Sequence, residues 1–238
     1  MKHKRSFFER LTGSSEINEF EEKLADYCGT KYAVAVATGT AALHCAYYAA
    51  GLSSGDEIIV PANTFAATAN AALYLGAKPV FCDIKLDTYN IDESKIEKLI
   101  TPKTKAIIPV HFAGHPCEMD TILKIAKKHK LIVIEDACHA LGATYRNKKI
   151  GNIGDMTVFS FHPVKSITTG EGGIIVTNNS ELDATARALR NQGRRETDDW
   201  FEHSALGYNY RISEINCALG IEQLKRIDLI LKRREQVA

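Results

Sequence analysis

The sequence predicts an α/β fold built around a largely parallel sheet. Two observations carry this. Short apolar runs alternate with amphipathic stretches of helical spacing along most of the chain. The composition, with 45% hydrophobic and 25% charged residues over 238 positions, is that of an ordinary globular protein able to bury a sizeable core.

The elements follow in order. A helical stretch at 15–27 leads to an apolar run at Tyr32–Val36, followed by a helix at 40–50 and a run at 57–60. Helices at 66–75, 93–100 and 119–130 alternate with runs at 79–82, 106–110 and 131–134. Two further runs, at 157–161 and Gly173–Thr177, are separated only by a loop containing Lys165. No crossover helix fits there, so one of these two strands is expected to run antiparallel. A helix at 181–191 comes next. From Ser213 to the last residue one continuous helix is expected, because Ile215, Leu219, Ile221, Leu224, Ile227 and Ile230 keep roughly helical spacing. Ser213 followed by Asn216 is a partial cap signal. Glu235-Gln236-Val237-Ala238 carries no C-cap glycine and no breaker, so the chain is expected to be a fragment.

Charge and cysteine usage exclude several function classes. A formal net charge of +1 provides no basic field for nucleic acid or anionic membrane. The six cysteines are scattered, with no CxxC or other metal spacing. Cys45, Cys82 and Cys138 lie in apolar runs and read as small buried hydrophobes, in keeping with a reduced, cytoplasmic setting. No signal-peptide core follows the basic N-terminus and no run approaches membrane-spanning length.

The chemistry concentrates in a few motifs. Lys165 sits in Ser160-Phe161-His162-Pro163-Val164-Lys165-Ser166-Ile167-Thr168-Thr169-Gly170-Glu171-Gly172-Gly173. It is either a surface lysine or, given the apolar neighbours Phe159, Phe161, Val164 and Ile167, a nucleophile in a buried loop. Asp136 closes the run Leu131-Ile132-Val133-Ile134-Glu135-Asp136. It is either a ligand contact at the carboxyl edge of the sheet or the N-cap of a following helix. Glu135 points the other way from the strand. An amine and a carboxylate are the pair that pyridoxal phosphate (PLP) chemistry needs: one forms a Schiff base with the aldehyde, the other keeps the pyridine nitrogen protonated.

Further candidates surround that pair. Thr38-Gly39-Thr40-Ala41-Ala42-Leu43 opens a helix after a strand and suits a phosphate, though an ordinary βα turn has the same composition. Phe65 is either a stacking aromatic or a core residue. His139 could face the same site as Asp136, one helical turn on, and His162 is read as positioning the Lys165 loop. His111 and His115 flank a turn glycine instead of riding a helix, so no metal site is expected. Gly207-Tyr208-Asn209-Tyr210-Arg211 could serve a ligand or an interface.

With these residues assembled, the chain resembles the DegT/DnrJ/EryC1/StrS family of PLP-dependent sugar aminotransferases of fold type I. The resemblance starts near Glu16 and rests on 160–173, Glu135-Asp136-Ala137-Cys138-His139-Ala140-Leu141-Gly142-Ala143, 39–43, Asn63-Thr64-Phe65 with Ala69-Asn70-Ala71, and 207–211. It implies a large domain with a mostly parallel seven-stranded sheet over 16–211, after an N-terminal segment at 1–15. It also implies the start of a connecting helix at 212–238, with a C-terminal small domain that is absent here. By the same resemblance Lys165 is the Schiff-base lysine and Asp136 the partner of the pyridine nitrogen. His139 lies near the phenolic oxygen, Phe65 stacks on the ring, and Gly39, Thr40 and Ser160 hold the phosphate. Asn209 reaches the phosphate of a partner chain in a homodimer. Ala113-Gly114-His115, Phe201-Glu202 and 206–212 are similar to the branch acting on UDP-4-keto-6-deoxy-N-acetylhexosamines, the pseudaminic-acid branch.

The implied activity is transamination of a nucleotide-linked keto-sugar with glutamate as donor. Two alternatives stand beside it. One is another fold-type I PLP enzyme; the related sugar dehydratases replace the lysine with histidine, and Lys165 argues against them. The other is a non-catalytic fragment that binds PLP or dimerises without turnover. A plain nucleotide-binding domain lacks its GxGxxG turn here.

Overall fold

The computed structural model describes residues 15–195, 198–199 and 201–237; of the expected N-terminal segment, all but Ser15 lies outside the described residues. In chain order the elements are α1 (Glu16–Cys28), β1 (Tyr32–Val36), α2 (Gly39–Ala49), β2 (Glu57–Pro61), α3 (Ala66–Leu73), β3 (Lys78–Cys82), α4 (Glu93–Ile96) and β4 (Thr104–Ile107). There follow α5 (Met119–His129), β5 (Ile132–Asp136), the short strands β6 (Thr144–Tyr145) and β7 (Lys148–Lys149), β8 (Met156–Ser160), β9 (Gly173–Thr177), α6 (Ser180–Arg190), α7 (Glu214–Leu224) and α8 (Ile227–Val237).

Seven strands form one sheet in the order β1-β9-β8-β5-β4-β2-β3. β9 runs antiparallel to both neighbours, β1 and β8. The pairings β8–β5, β5–β4, β4–β2 and β2–β3 are all parallel. The expected reversed strand is therefore β9, which returns directly from the Lys165 loop. Reversal places Gly173 opposite both Val36 and Ser160, at the sheet edge where the parallel strands end.

Strand periodicity sorts side chains between two covered faces. In β1, Val34 and Val36 enter the core shared with α2, α3 and α6, whereas Ala33 and Ala35 enter the core shared with α1 and α7. β8 divides the same way, with Met156 and Val158 on one side and Phe159 on the other. Burial on both faces explains why these strands read as continuous apolar runs. A third cluster, Ile59, Ile107, Ile122 and Val133 among others, seals the α5 side.

Local chemistry sets the helix ends. Thr38 caps α2 by accepting from the Ala41 N–H, and Asn179 caps α6 through the N–H groups of Glu181 and Leu182. Ser213 caps α7 through the Asn216 N–H at 3.2 Å, completing the partial signal seen in sequence. Gly29, at φ 74°, ends α1 in the left-handed conformation.

Several expectations are corrected. The C-terminal segment is two helices, not one: a turn at Lys225 and Arg226 breaks it, while Leu224 and Ile227 on either side stay buried in the same core. The run at 106–110 is strand only at Thr104–Ile107, and Val110 makes an isolated parallel bridge to Asp136. The helix expected at 93–100 closes after Ile96 into a 3₁₀ turn. The β6–β7 hairpin was not anticipated; its turn uses positive φ at Arg146 (46°) and Asn147 (67°). Among the described residues no helix is long and apolar enough to cross a membrane.

Candidate active site

The carboxyl ends of β1, β2, β5 and β8 converge on one cavity of about 500 Å³. Its lining includes Gly39, Thr40, Phe65, Asp136, His139, Ser160 and Lys165. A single edge of the sheet thus gathers these sequence candidates from separate segments, as expected for ligand sites in open α/β sheets. Asn209 is the exception. It is exposed, makes an antiparallel bridge with Asn191, and does not line this cavity.

Asp136 ends β5 with its side chain in the cavity wall and only 5% of its surface exposed. Its backbone is held on both sides, the N–H donating to Pro109 O and the carbonyl accepting from His111 N–H. Oδ2 accepts from Thr68 Oγ1 at 2.7 Å and Oδ1 from the Cys138 N–H at 3.2 Å. No helix follows, so the carboxylate caps a turn and not a helix, and the N-cap alternative fails. His139 therefore reaches the cavity from that turn, not from the expected helical face. Glu135, its neighbour, faces away. It is fully buried, taking hydrogen bonds from Thr157 Oγ1 and Gly154 N–H and lying 2.8 Å from His111 Nε2. His111 Nδ1 accepts from Cys117 N–H, so the proton sits on Nε2 and points at Glu135. Both nitrogens of His111 are thereby occupied by protein groups.

Two glycines allow the start of α2 to pack closely against β8 and β9. An ideal Cβ on Gly39 would lie 2.8 Å from Ser160 Cβ, and one on Gly173 would lie 2.4 Å from Thr38 O. The first-turn N–H groups of Gly39 and Thr40 have no intrahelical acceptor and carry the positive end of the α2 dipole. With the Ser160 hydroxyl beside them they form a ready anion cradle.

Lys165 is half-buried in the cavity wall. Phe159, Phe161 and Ile167 of its loop are buried as expected; Val164 is not, with 67% of its surface exposed at the cavity rim. His162 shapes the turn, its carbonyl accepting from Lys165 N–H and its Nδ1 from Val164 N–H. The Thr-Thr-Gly-Glu-Gly-Gly stretch is tied internally. Thr168 Oγ1 donates to Phe161 O and Thr169 Oγ1 to Glu171 O, and Asn216 of α7 donates to the carbonyls of both Thr169 and Glu171. From α8, Arg234 donates to Lys165 O at 2.6 Å.

The electrostatics are consistent with this packing. Burial first, then the Lys165 ammonium, holds the His139 imidazole below its ordinary value, so it is neutral at pH 7. Burial and then the Asp136 carboxylate push the Cys138 thiol well above its usual range, which makes it a packing group and not a nucleophile. Phe65 is 76% exposed, an aromatic face open to the cavity. Thr68, fully buried behind Asp136, escaped sequence analysis. Thr64 stands two residues before α3 begins and Thr68 in its first turn, so helical spacing does not pair them and only the folded chain shows their hydroxyls 2.8 Å apart.

A sequence profile of the DegT/DnrJ/EryC1/StrS aminotransferase family matches residues 8–238. The chain belongs to that family. It is 52% identical over 222 residues to the GDP-perosamine synthase of Caulobacter vibrioides, covering 93% of this chain and 59% of that protein. It is 48% identical over 233 residues to a UDP-4-amino-4,6-dideoxy-N-acetyl-beta-L-altrosamine transaminase of Campylobacter jejuni, covering 96% and 61%. Among solved structures it is similar to a putative sugar aminotransferase from Streptococcus pneumoniae in its PMP form, with a TM-score of 0.89, 32% identity, and coverage of 97% of this chain and 64% of that one. The chain thus spans about 60% of the length of these curated relatives.

Aminotransferases of this family are PLP-dependent. The residues present fit that cofactor on their chemistry: an anion cradle that a Cβ on Gly39 would fill, a lysine amine in the wall, a buried carboxylate and an open aromatic face.

Proposed function

We propose that this chain carries the PLP-binding domain of an aminotransferase that transfers the amino group of glutamate to a nucleotide-linked keto-sugar. The observation that carries the proposal is the placement of Lys165 and Asp136 in one cavity beside the anion cradle of Gly39, Thr40 and Ser160. PLP, when bound, supplies an electron sink for ionisation at the donor's Cα.

The chain's own residues take the following roles. The N–H groups of Gly39 and Thr40 and the Ser160 hydroxyl hold the phosphate. Phe65 covers one face of the ring. Asp136 holds a proton at the ring nitrogen, and its burial strengthens that interaction. Lys165 Nζ is the amine that binds the aldehyde and, when free, the base that moves a proton at the donor's Cα. His139, neutral beside Lys165, contacts the phenolic oxygen. Asn209, exposed and outside its own cavity, serves the partner's phosphate in a homodimer. Residues 16–211 form the PLP domain, and 212–238 lead toward a small domain that closes over the sugar.

For the substrate we propose a UDP-4-keto-6-deoxy-N-acetylhexosamine. The similarity to the altrosamine transaminase supports uridine, and the similarity to a GDP-perosamine synthase makes guanosine the alternative to test against it. The chain, loaded with PLP, is mixed with glutamate and the 2-oxoglutarate formed is counted; about one equivalent per site is expected. Formation of none, with PLP bound, would contradict the proposal. Supplying UDP- and GDP-linked keto-sugars and weighing the products by mass spectrometry then assigns the nucleotide.

A further inference from the structure

We propose that Thr68, buttressed by Thr64, is a positioning residue for Asp136: a one-way hydroxyl relay that fixes the carboxylate toward the cofactor's ring nitrogen. The inference rests on the assignment of Asp136 to that nitrogen. A carboxylate is an acceptor only, so the 2.7 Å contact consumes the single hydroxyl proton of Thr68. The 2.8 Å contact between the Thr64 and Thr68 hydroxyls must then use the proton of Thr64. The direction of the relay is fixed from the cavity wall, where Thr64 sits, inward to Asp136.

Burial gives the relay its weight. Thr68 has no exposed surface, so water cannot replace its hydroxyl. Its backbone is clamped as well: Tyr47, itself fully buried, donates its hydroxyl to Thr68 O at 2.9 Å, and Thr68 N–H donates to Phe65 O at 3.1 Å. The second carboxylate oxygen is held by the Cys138 N–H. Both ends of the carboxylate are thus fixed before any ligand arrives, which is what an electrostatic partner needs if it is not to reorganise on binding. Charge-assisted bonds in a low-dielectric setting are also the stronger ones, and each polarises the next.

The test compares the binding of PLP with that of its 1-deaza analogue, in which carbon replaces the ring nitrogen. Affinities for both are measured by equilibrium dialysis on the wild-type chain, Thr68→Val, Thr68→Ser and Thr64→Val. Thr68→Val keeps the side-chain volume and is expected to weaken PLP about tenfold while leaving the deaza analogue within about twofold. Thr68→Ser restores PLP binding, and Thr64→Val weakens it by a smaller factor with the same selectivity. Equal weakening of both compounds by Thr68→Val would reduce Thr68 to a structural role, and no change in either would remove it altogether. A wild-type chain that does not distinguish the two compounds would instead overturn the assignment of Asp136, and the relay with it.

Discussion

Gly39 and Ser160 meet so closely that no side chain fits between them: a Cβ on Gly39 would lie 2.8 Å from Ser160 Cβ and 3.1 Å from Ser160 Oγ. This contact joins the start of α2 to the end of β8. It sets a helix N-terminus beside a hydroxyl, and it explains why a glycine must stand where the sequence motif places it.

Gly39→Ala is therefore expected to act twice. Overpacking should cost about 1–3 kcal/mol of stability, read as a shift in the urea midpoint. The displaced cradle should also weaken PLP binding by about tenfold or more. An alanine variant with unchanged midpoint and affinity would show that the two elements can part without consequence.

Asp136→Asn preserves size and loses charge. It should slow the glutamate half-reaction by roughly two to four powers of ten. Rapid mixing of the PLP-loaded variant with glutamate measures this directly, and an unchanged rate would remove Asp136 from the chemistry.

The sheet and most cavity residues were legible because apolar alternation and strand-end motifs are local signals. Asp136 and Gly39 each announced themselves by standing at the end of a run. Thr68 did not, because its role depends on a carboxylate sixty-eight positions away. The break at Lys225 and Arg226 was hidden because Ile227 and Ile230 continue the apolar spacing across it. The Val164 expectation failed because a cavity rim exposes apolar side chains that composition alone assigns to the core.

A buried ionic cluster was equally invisible. Glu21 of α1 pairs with Arg187 at 2.6 Å and Arg190 at 2.5 Å, and it accepts from the Ala35 N–H at 2.8 Å. Arg187 and Arg190 also donate to the carbonyls of Ala33 and Ala35, tying α1, α6 and β1 together. Glu21→Gln removes the carboxylate that pairs with Arg190 and leaves Arg187 with Asp183 alone, and it should cost about 3–5 kcal/mol in urea unfolding. PLP affinity should be preserved, since Glu21 does not line the cavity. A loss below 1 kcal/mol would refute this.

His44 should make stability depend on pH. Its ring is buried among Tyr74, Tyr208 and Tyr210, with Nδ1 3.1 Å from the Tyr210 hydroxyl, and burial lowers its pKa. The unfolded chain then takes up a proton near pH 6.5, where the folded chain does not. The contribution is fully present above that value and is lost as pH falls through it toward the lower folded pKa. Urea midpoints should therefore drop between pH 7 and pH 5, and drop less in His44→Gln. Parallel profiles for the two chains would contradict it.

Lys165 is proposed as the amine that binds the cofactor, and this is directly measurable. The chain is incubated with PLP, reduced with borohydride, digested, and its peptides sequenced by mass spectrometry. One phosphopyridoxyl group per chain is expected on Lys165, and none at full stoichiometry in Lys165→Ala. A stoichiometric adduct on any other lysine, or one that persists in Lys165→Ala, would contradict it.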